Sequence, residues 1–520
     1  SATISLFNLW TLSWNAQSVA NLWSGYWDAP IFHPQEGAFG LSDPQPLTGF
    51  AFALVHLFID NSFTVYNLLL LTILVLNGYG GYRLARCGCG VNPAALTGAL
   101  AVGLSWVATE LGVIQMTVLF PVFLALEQLC RFAAAPSYGG GVRLAVTAAA
   151  TYLCSSYFGL YLSLFLSLAA VAGLIAKRTL NPTTAKQVAV AAAVYLALLA
   201  PLAVGQLIAT EGFARKEEAI DSSRASGEHY LRLRSRSSEG ADLIPWLITR
   251  PPTDFTVTPQ RLFPGTALIL LAFAGFAAAL HLGEKRREAW SFAALVAISA
   301  LLSFGPPAAL FGVSLYELLR DLYPGFAQLR STFRFAAFVQ VGLIGLAALG
   351  LQVLWCWRDR CGKGVAVGIV VLGLAELLPP AQRLGPDWAE IFSSPWIEEM
   401  RQLPAGPVAH LPPSKSGRSK DFEPIVKVML QALEFDKPLL NGYSGYFPPL
   451  HREFRLRLRR FRAMDLQYLA ERGTRYLLLD LARTREGMTD FLEKQDSLRL
   501  LIDTPKIQVY EFSKWTASGV

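Results

Sequence analysis

Tyr26-Trp-Asp-Ala-Pro-Ile-Phe-His-Pro-Gln-Glu-Gly-Ala-Phe-Gly-Leu-Ser-Asp-Pro-Gln-Pro46 brings Asp28, His33, Glu36 and Asp43 into one short loop. Only 16% of the 520 residues are charged and 53% are hydrophobic, so this local concentration of ionisable groups marks a candidate site. Its flanks say where it sits. Upstream, residues 6–23 space Leu6, Leu9, Trp10, Trp14, Val19 and Leu22 among Asn and Gln. That spacing predicts an interfacial helix with its tryptophans at the level of the lipid headgroups. Downstream, residues 47–59 are apolar but shorter than the roughly 20 residues a membrane crossing needs, which predicts a second juxtamembrane helix.

The wider composition sets the class. A mean hydropathy of +0.38, with charge well below the roughly 25% typical of soluble domains, describes an α-helical polytopic membrane protein. The net charge of +7 is carried by short Lys and Arg clusters between apolar runs, where it sets orientation and implies no nucleic-acid partner. Cys87, Cys89, Cys130, Cys154, Cys356 and Cys361 all avoid the long polar segments, a pattern of unpaired thiols and not of an extracellular disulfide framework. Cys87-Gly-Cys89 lacks the second pair a zinc site needs. The chain opens at Ser1 without a Met or a signal peptide, from which we expect a further membrane helix upstream.

Ten apolar runs are candidate spans: residues 63–84, 92–109, 111–129, 142–155, 157–176, 187–209, 263–282, 289–304, 333–355 and 364–378. With a segment upstream, the expected total is about 10 to 11 spans. Arg83 and Arg86, Arg131 and Arg143, Lys177, Arg178 and Lys186, Lys285, Arg286 and Arg287, and Arg358, Arg360 and Lys363 fall in alternate loops. The positive-inside rule makes those loops cytoplasmic. The first loop, the 210–262 loop and the tail are then extracytoplasmic, and the expected location is a bacterial cytoplasmic (inner) membrane. The expected domains are residues 1–62, a first loop with juxtamembrane helices; 63–385, a multi-span membrane domain; and 386–520, an extracytoplasmic α/β domain.

The tail alternates between two periodicities. Strands are predicted at 407–411, 476–480, 498–502 and 507–512, and helices at 425–434, 466–472 and 488–494. About 135 residues are enough for one domain with its own core.

Several stretches together carry a family resemblance. Asn8-Leu-Trp-Thr-Leu-Ser-Trp-Asn15, Asp28-Ala-Pro-Ile-Phe-His-Pro34 and Ser42-Asp-Pro44 precede the long multi-span region. Leu315-Tyr-Glu-Leu-Leu-Arg-Asp-Leu-Tyr-Pro-Gly-Phe-Ala-Gln-Leu-Arg-Ser-Thr-Phe-Arg-Phe335, Asn441-Gly-Tyr-Ser-Gly-Tyr-Phe-Pro448, Arg234-Ser-Arg-Ser-Ser-Glu-Gly-Ala-Asp-Leu243 and Leu262-Phe-Pro-Gly265 extend it. The chain resembles the large bacterial family of GT-C-type membrane glycosyltransferases. The resemblance implies an enzyme that takes a sugar from a polyprenyl-phosphate carrier at the outer membrane face and passes it to an acceptor hydroxyl.

The residues support that chemistry on their own terms. Inverting transfer needs a carboxylate to take the acceptor's proton and a cationic group to steady the departing lipid phosphate. Asp28 and Asp43 lie on the loop where the resemblance places the catalytic acid. Asp43 is the stronger candidate, because Pro44 and Pro46 stiffen its loop and Ser42 is placed to orient it; the alternative is a cap on the helix that follows. His33 and Glu36 are accessory candidates: with Asp28 they bind a divalent cation, or they are surface groups, and spacing alone defines no metal set. Arg330 and Arg334, four apart, are expected to share one helical face ahead of the span at 333 and to grip the carrier phosphate or anchor at headgroups. Arg234, with Arg232 and Arg236, alternates as a strand does and either meets the carrier phosphate or faces solvent. The tail's run of Arg455, Arg457, Arg459, Arg460 and Arg462 reads as a structural or lipid-facing surface.

One departure weighs against activity. Relatives carry a Gly-Asp just upstream of the stretch matching Asn8 to Asn15, and here that stretch is Thr3-Ile-Ser-Leu-Phe7. The chain is then either a variant that uses Asp28 or Asp43 as base, or, as the alternative function, a catalytically inactive GT-C-like scaffold or assembly subunit that binds a protein partner through its C-terminal domain. Phosphate-loop, Gly-x-Ser-x-Gly and His-Glu-x-x-His motifs are absent. Within the expected spans the main charges are Glu127 and Glu376, near helix ends, which is a poor pattern for a transporter.

Overall fold

The computed structural model describes residues 2–175, 182–213, 220–231, 262–283, 285–357, 360–377, 390–416 and 418–513. The chain separates into two compact units. Ser1–Asn67, Pro201–Phe213 and Leu384–Val520 form the first, and Leu68–Ala200 with Ala214–Arg383 form the second. The opening region and the tail, far apart in sequence, thus share one unit.

In the first unit the opening helix Thr3–Ala20 packs against the helices Pro46–His56 and Glu423–Phe435. Trp10, expected at the level of the headgroups, is instead enclosed by protein. It is 1% exposed, and Leu6, Leu9 and Leu12 are equally buried. The polar residues of the helix explain the difference: Asn8, Thr11, Asn15 and Ser18 recur every three or four positions and are buried too. They form a stripe that faces protein instead of water.

The tail is built on a four-stranded mixed sheet in the order Val408–Leu411, Tyr476–Asp480, Ile507–Phe512, Leu498–Asp503. The first two strands run parallel, with Val408 opposite Tyr476 and Leu411 opposite Leu479. The other pairings are antiparallel. Tyr476, Leu477, Leu478 and Leu479 are all buried, as a central strand covered on both faces requires. Leu477 and Leu479 pack with Phe454, Leu458, Leu466 and Leu469, each such burial contributing about 1.5–3 kcal/mol.

The ten apolar runs each fall on a helix or on two helices in succession. Among the described residues, six are long and apolar enough to cross a membrane: Ser62–Ala85, Val91–Thr109, Ile114–Ala134, Ser156–Gly173, Pro182–Ala209 and Thr332–Cys356. That is fewer than the 10 to 11 expected. Tyr138–Cys154 and Thr266–Leu282 have 17 residues each. Arg286–Ser303 and Arg360–Leu377 each include three charged residues, more than a span of that length readily carries. Six apolar crossings make this a multi-pass membrane protein.

Helix Ala336–Cys356 is the axis of the second unit, packed by Thr266–Leu282, Arg286–Ser303, Val91–Val102 and Arg360–Leu377. A Cβ at Gly275 would overlap the Leu346 carbonyl and one at Gly350 the Leu271 carbonyl, so only glycine permits this backbone approach. Some polar groups inside the apolar helices have close partners. Asn77 donates to Thr117 O at 2.7 Å and accepts from Leu119 N and Phe120 N, bridging the break between Ile114–Thr117 and Phe120–Ala134. Glu127, with a fully buried side chain, pairs with Arg83 and Arg131, each at 2.7 Å.

Candidate functional site

The polar stripe of the opening helix holds the acidic loop in place. Asn15 Nδ2 donates to Pro44 O at 2.7 Å and to Thr11 O at 2.8 Å, while its Oδ1 accepts from the Tyr26 hydroxyl at 3.1 Å. Gln45 Nε2 donates to Asn8 Oδ1 at 3.1 Å, and Gln206 Nε2 donates to Ser42 O at 3.3 Å. Asp43, 9% exposed, therefore lies on a segment whose neighbours on both sides are tied down. Gln45, at a left-handed φ of 52°, is the N-cap residue of Pro46–His56, so Asp43 is not the helix cap. Burial, with a further push from the Asp43 carboxylate, raises the Tyr26 phenol well above its ordinary range. It stays neutral and keeps its proton for Asn15.

Asp28 has a different task. It is exposed, and its Oδ1 accepts from Gly37 N at 2.8 Å, closing the loop where Gly37 takes a φ of 66°. Glu36 is exposed and His33 half-buried, with burial lowering the imidazole pKa. Among the described residues no three His, Cys, Asp or Glu side chains come together as metal ligands, so Asp28, His33 and Glu36 do not form a ligand set.

Two stretches singled out in the sequence meet here. Phe32 N donates to Asn441 O at 3.1 Å, His33 N to Leu439 O at 2.8 Å, Leu439 N to Pro30 O at 3.1 Å and Tyr446 N to Leu41 O at 3.1 Å. A Cβ at Gly442 would overlap the Phe32 ring. The segment from Asn441 to Pro448 thus straps the acidic loop to the sheet. Sequence periodicity carries no signal for a pairing across some four hundred residues.

In the second unit the arginines are arranged differently from the expected helical pair. Arg330 is exposed and lies in an extended connector, while Arg334 belongs to the 3-10 turn Thr332–Phe335 and is half-buried. Two tyrosines contact this segment: Tyr316 donates its hydroxyl to Leu329 O at 3.3 Å and Tyr161 to Ser331 O at 3.4 Å, while Ser331 O also accepts from Arg334 N at 3.2 Å. Arg334 lies over the Tyr157 ring, its guanidinium carbon 4.2 Å from the centroid. Its Nε is buried without a hydrogen-bond partner. Arg234 lies outside the described residues.

Glu110 is a titratable group that the sequence reading does not single out. Burial raises its carboxyl pKa, and the positive charge of Arg334 partly offsets this.

These features define a multi-pass membrane protein with an α/β tail, and its likeness to the following solved structure gives it a GT-C-like fold. The chain is similar over its whole length to the cryo-EM structure of arabinofuranosyltransferase AftD from mycobacteria, with a TM-score of 0.56 at 16% identity, and spans 40% of that protein. A mutant of AftD matches 96% of the chain at a TM-score of 0.58 and 16% identity, again over 39% of its own length. ArnT from Cupriavidus metallidurans in the apo state matches 96% of the chain and 92% of its own, at 12% identity and a TM-score of 0.41. At that score the likeness is only loose. No protein-family model and no curated protein matches the sequence.

Proposed function

We propose that this chain is a membrane glycosyltransferase that moves a sugar from a polyprenyl-phosphate carrier to an acceptor at the outer face of the cytoplasmic membrane. The observation that carries it is Arg334, a cation braced on the Tyr157 ring with a buried Nε that has no acceptor of its own. A phosphate oxygen supplies the missing acceptor, and the charge-assisted bond is worth about twice a neutral one. Arg330, exposed nearby in sequence, and Arg234 are secondary phosphate contacts. The GT-C-like fold agrees with this role.

In the proposed reaction Asp43 takes the proton from the acceptor hydroxyl as its oxygen attacks the anomeric carbon. The bond from that carbon to the carrier phosphate breaks, the glycosidic bond forms, and the phosphate leaves with the bonding electron pair. Asp28 is the weaker candidate for base, because one of its oxygens closes the loop on Gly37 N.

The test is transfer from a radiolabelled polyprenyl-phosphate sugar by the purified full chain, with Arg334→Gln beside wild type. A rise of tenfold or more in KM for the carrier, at unchanged folding, is the expected result. An unchanged KM removes Arg334 from carrier binding.

A further inference from the structure

A cleft of about 360 Å³ opens in the tail outside the carboxyl ends of the parallel strands Val408–Leu411 and Tyr476–Asp480, and none of the residues discussed above as transfer candidates line it. This is the end of a parallel pair where open α/β sheets hold ligands. Lys415, Arg459, Arg483 and Arg485 line it, together with an apolar wall that includes Leu411, Leu479, Phe461 and Met488. No carboxylate is among the described lining residues.

Arg483 is the centre of this arrangement. Its side chain is 17% exposed and its Nη1 is buried without a hydrogen bond, standing 3.8 Å from Asp480 Oδ2. Nη2 makes only a long contact to Pro413 O, at 3.4 Å. Arg485 Nη2 reaches Arg459 O at 3.4 Å, which draws a second guanidinium toward the same mouth. Asp480 and Asp421 act on Arg483 electrostatically, and Asp421 also accepts from Ser416 Oγ. The described lining carries four cations and no carboxylate, and Lys427 acts on Asp480 in turn, so the cleft is net positive. An unsatisfied buried donor is costly, and like charges lining one cleft add to that cost. An incoming oxyanion relieves both.

We propose that this cleft is a binding site for a phosphate monoester whose other half presents an apolar face. A phosphate monoester brings more negative charge and three acceptor oxygens to this cationic lining, where a carboxylate brings a single charge and two. The wall formed by Phe461, Leu479 and Met488 suits either the C–H face of a sugar ring or the glycerol and first methylenes of a lipid. The site does not depend on the transfer reaction proposed above, and its test does not read that reaction.

The experiment is isothermal titration of the full chain in a phosphate-free maltoside detergent. The probes are inorganic phosphate, glucose 1-phosphate and the water-soluble dihexanoyl phosphatidic acid. Wild type binds at least one ester more tightly than inorganic phosphate, and that affinity falls at least tenfold in both Arg483→Gln and Arg459→Ala. Arg483→Lys keeps part of it, as a point charge without the guanidinium fork does. Because Arg459 is exposed, its variant tests the site without placing the fold at risk. Preference for glucose 1-phosphate identifies a sugar phosphate as the ligand, and preference for the phosphatidic acid identifies a lipid headgroup. The absence of binding heat at millimolar concentrations of all three probes overturns the proposal, and so does an affinity unchanged in both variants.

Discussion

Asn441 completes the backbone pairing of His410 with its side chain: its Oδ1 accepts from His410 N at 2.7 Å and its Nδ2 donates to His410 O at 3.0 Å. An amide is the one side chain of this size with a donor and an acceptor to offer, so the position is specified by chemistry as well as volume. Its own carbonyl meanwhile holds Phe32 N, which couples the acidic loop to the edge of the sheet. Asn441→Ala leaves two buried backbone groups unsatisfied and lowers stability by about 2 kcal/mol. Asn441→Asp sets a carboxylate oxygen against the His410 carbonyl and is at least as damaging. Thermal unfolding of the purified chain measures both, and unchanged melting in the pair contradicts this role.

Asn15 ties the acidic loop from the other side, through Pro44 O and the Tyr26 hydroxyl. Asn15→Leu keeps the helix and its packing volume but releases Asp43 from its fixed position. Transfer by this variant is expected to drop at least tenfold in kcat, with the KM for carrier little changed, since a misplaced base affects the chemical step more than binding. A change confined to KM points to a role in carrier binding instead.

Much of the fold was legible from the chain alone. Strand Tyr476–Asp480 follows from a short, wholly apolar run bounded by charge, and the long apolar helices follow from their composition. What escaped depends on partners distant in sequence. Trp10 and Trp14 resemble headgroup anchors until the tail helix Glu423–Phe435 is known to cover their helix. Arg330 and Arg334 have helical spacing, but Arg330 precedes and Arg334 belongs to a 3-10 turn whose approach is bonded by hydroxyls of Tyr161 and Tyr316. Asp43 and its Pro-rich loop stood out in the sequence, whereas the side chains that hold the loop, Asn15, Gln45 and Gln206, did not. An Asn on an apolar helix has no local signature of what it bonds.

Two histidines give the tail a pH dependence. Unfolded histidine titrates near 6.5. Burial, reinforced by the charge of Arg483, lowers His410 to about 3, and burial, reinforced by Arg455 and opposed by a bond to Leu440 O, lowers His451 to about 4. Both remain neutral in the fold while the unfolded chain binds protons below pH 6.5. Their stabilising contribution is therefore complete above pH 6.5 and is lost as pH falls through about 4 and then about 3. The expected slope is about 1.4 kcal/mol per pH unit for each histidine in that window. His451→Gln should remove its share of the slope between pH 6.5 and 4, as read by denaturant unfolding at each pH. Flat stability across that range contradicts it.

The orientation has a direct chemical test. Cys356 and Cys361 are exposed thiols flanking a loop that the basic residues assign to the cytoplasm. A membrane-impermeant maleimide added to intact cells should leave both unlabelled. It should label Glu486→Cys, a substitution at an exposed position in the tail. The reverse pattern inverts the assignment of sides.

Transfer by the full chain carrying Asp43→Asn, assayed beside Asp28→Asn with a radiolabelled polyprenyl-phosphate sugar, bears most directly on the proposed chemistry. Loss of a general base costs about 10²–10⁴ in rate. Asp43→Asn is expected to lose activity on that scale and still bind carrier. Asp28→Asn, which retains an oxygen for Gly37 N, should lose far less. Full activity in Asp43→Asn contradicts its role as base, and binding without turnover by wild type favours the scaffold alternative.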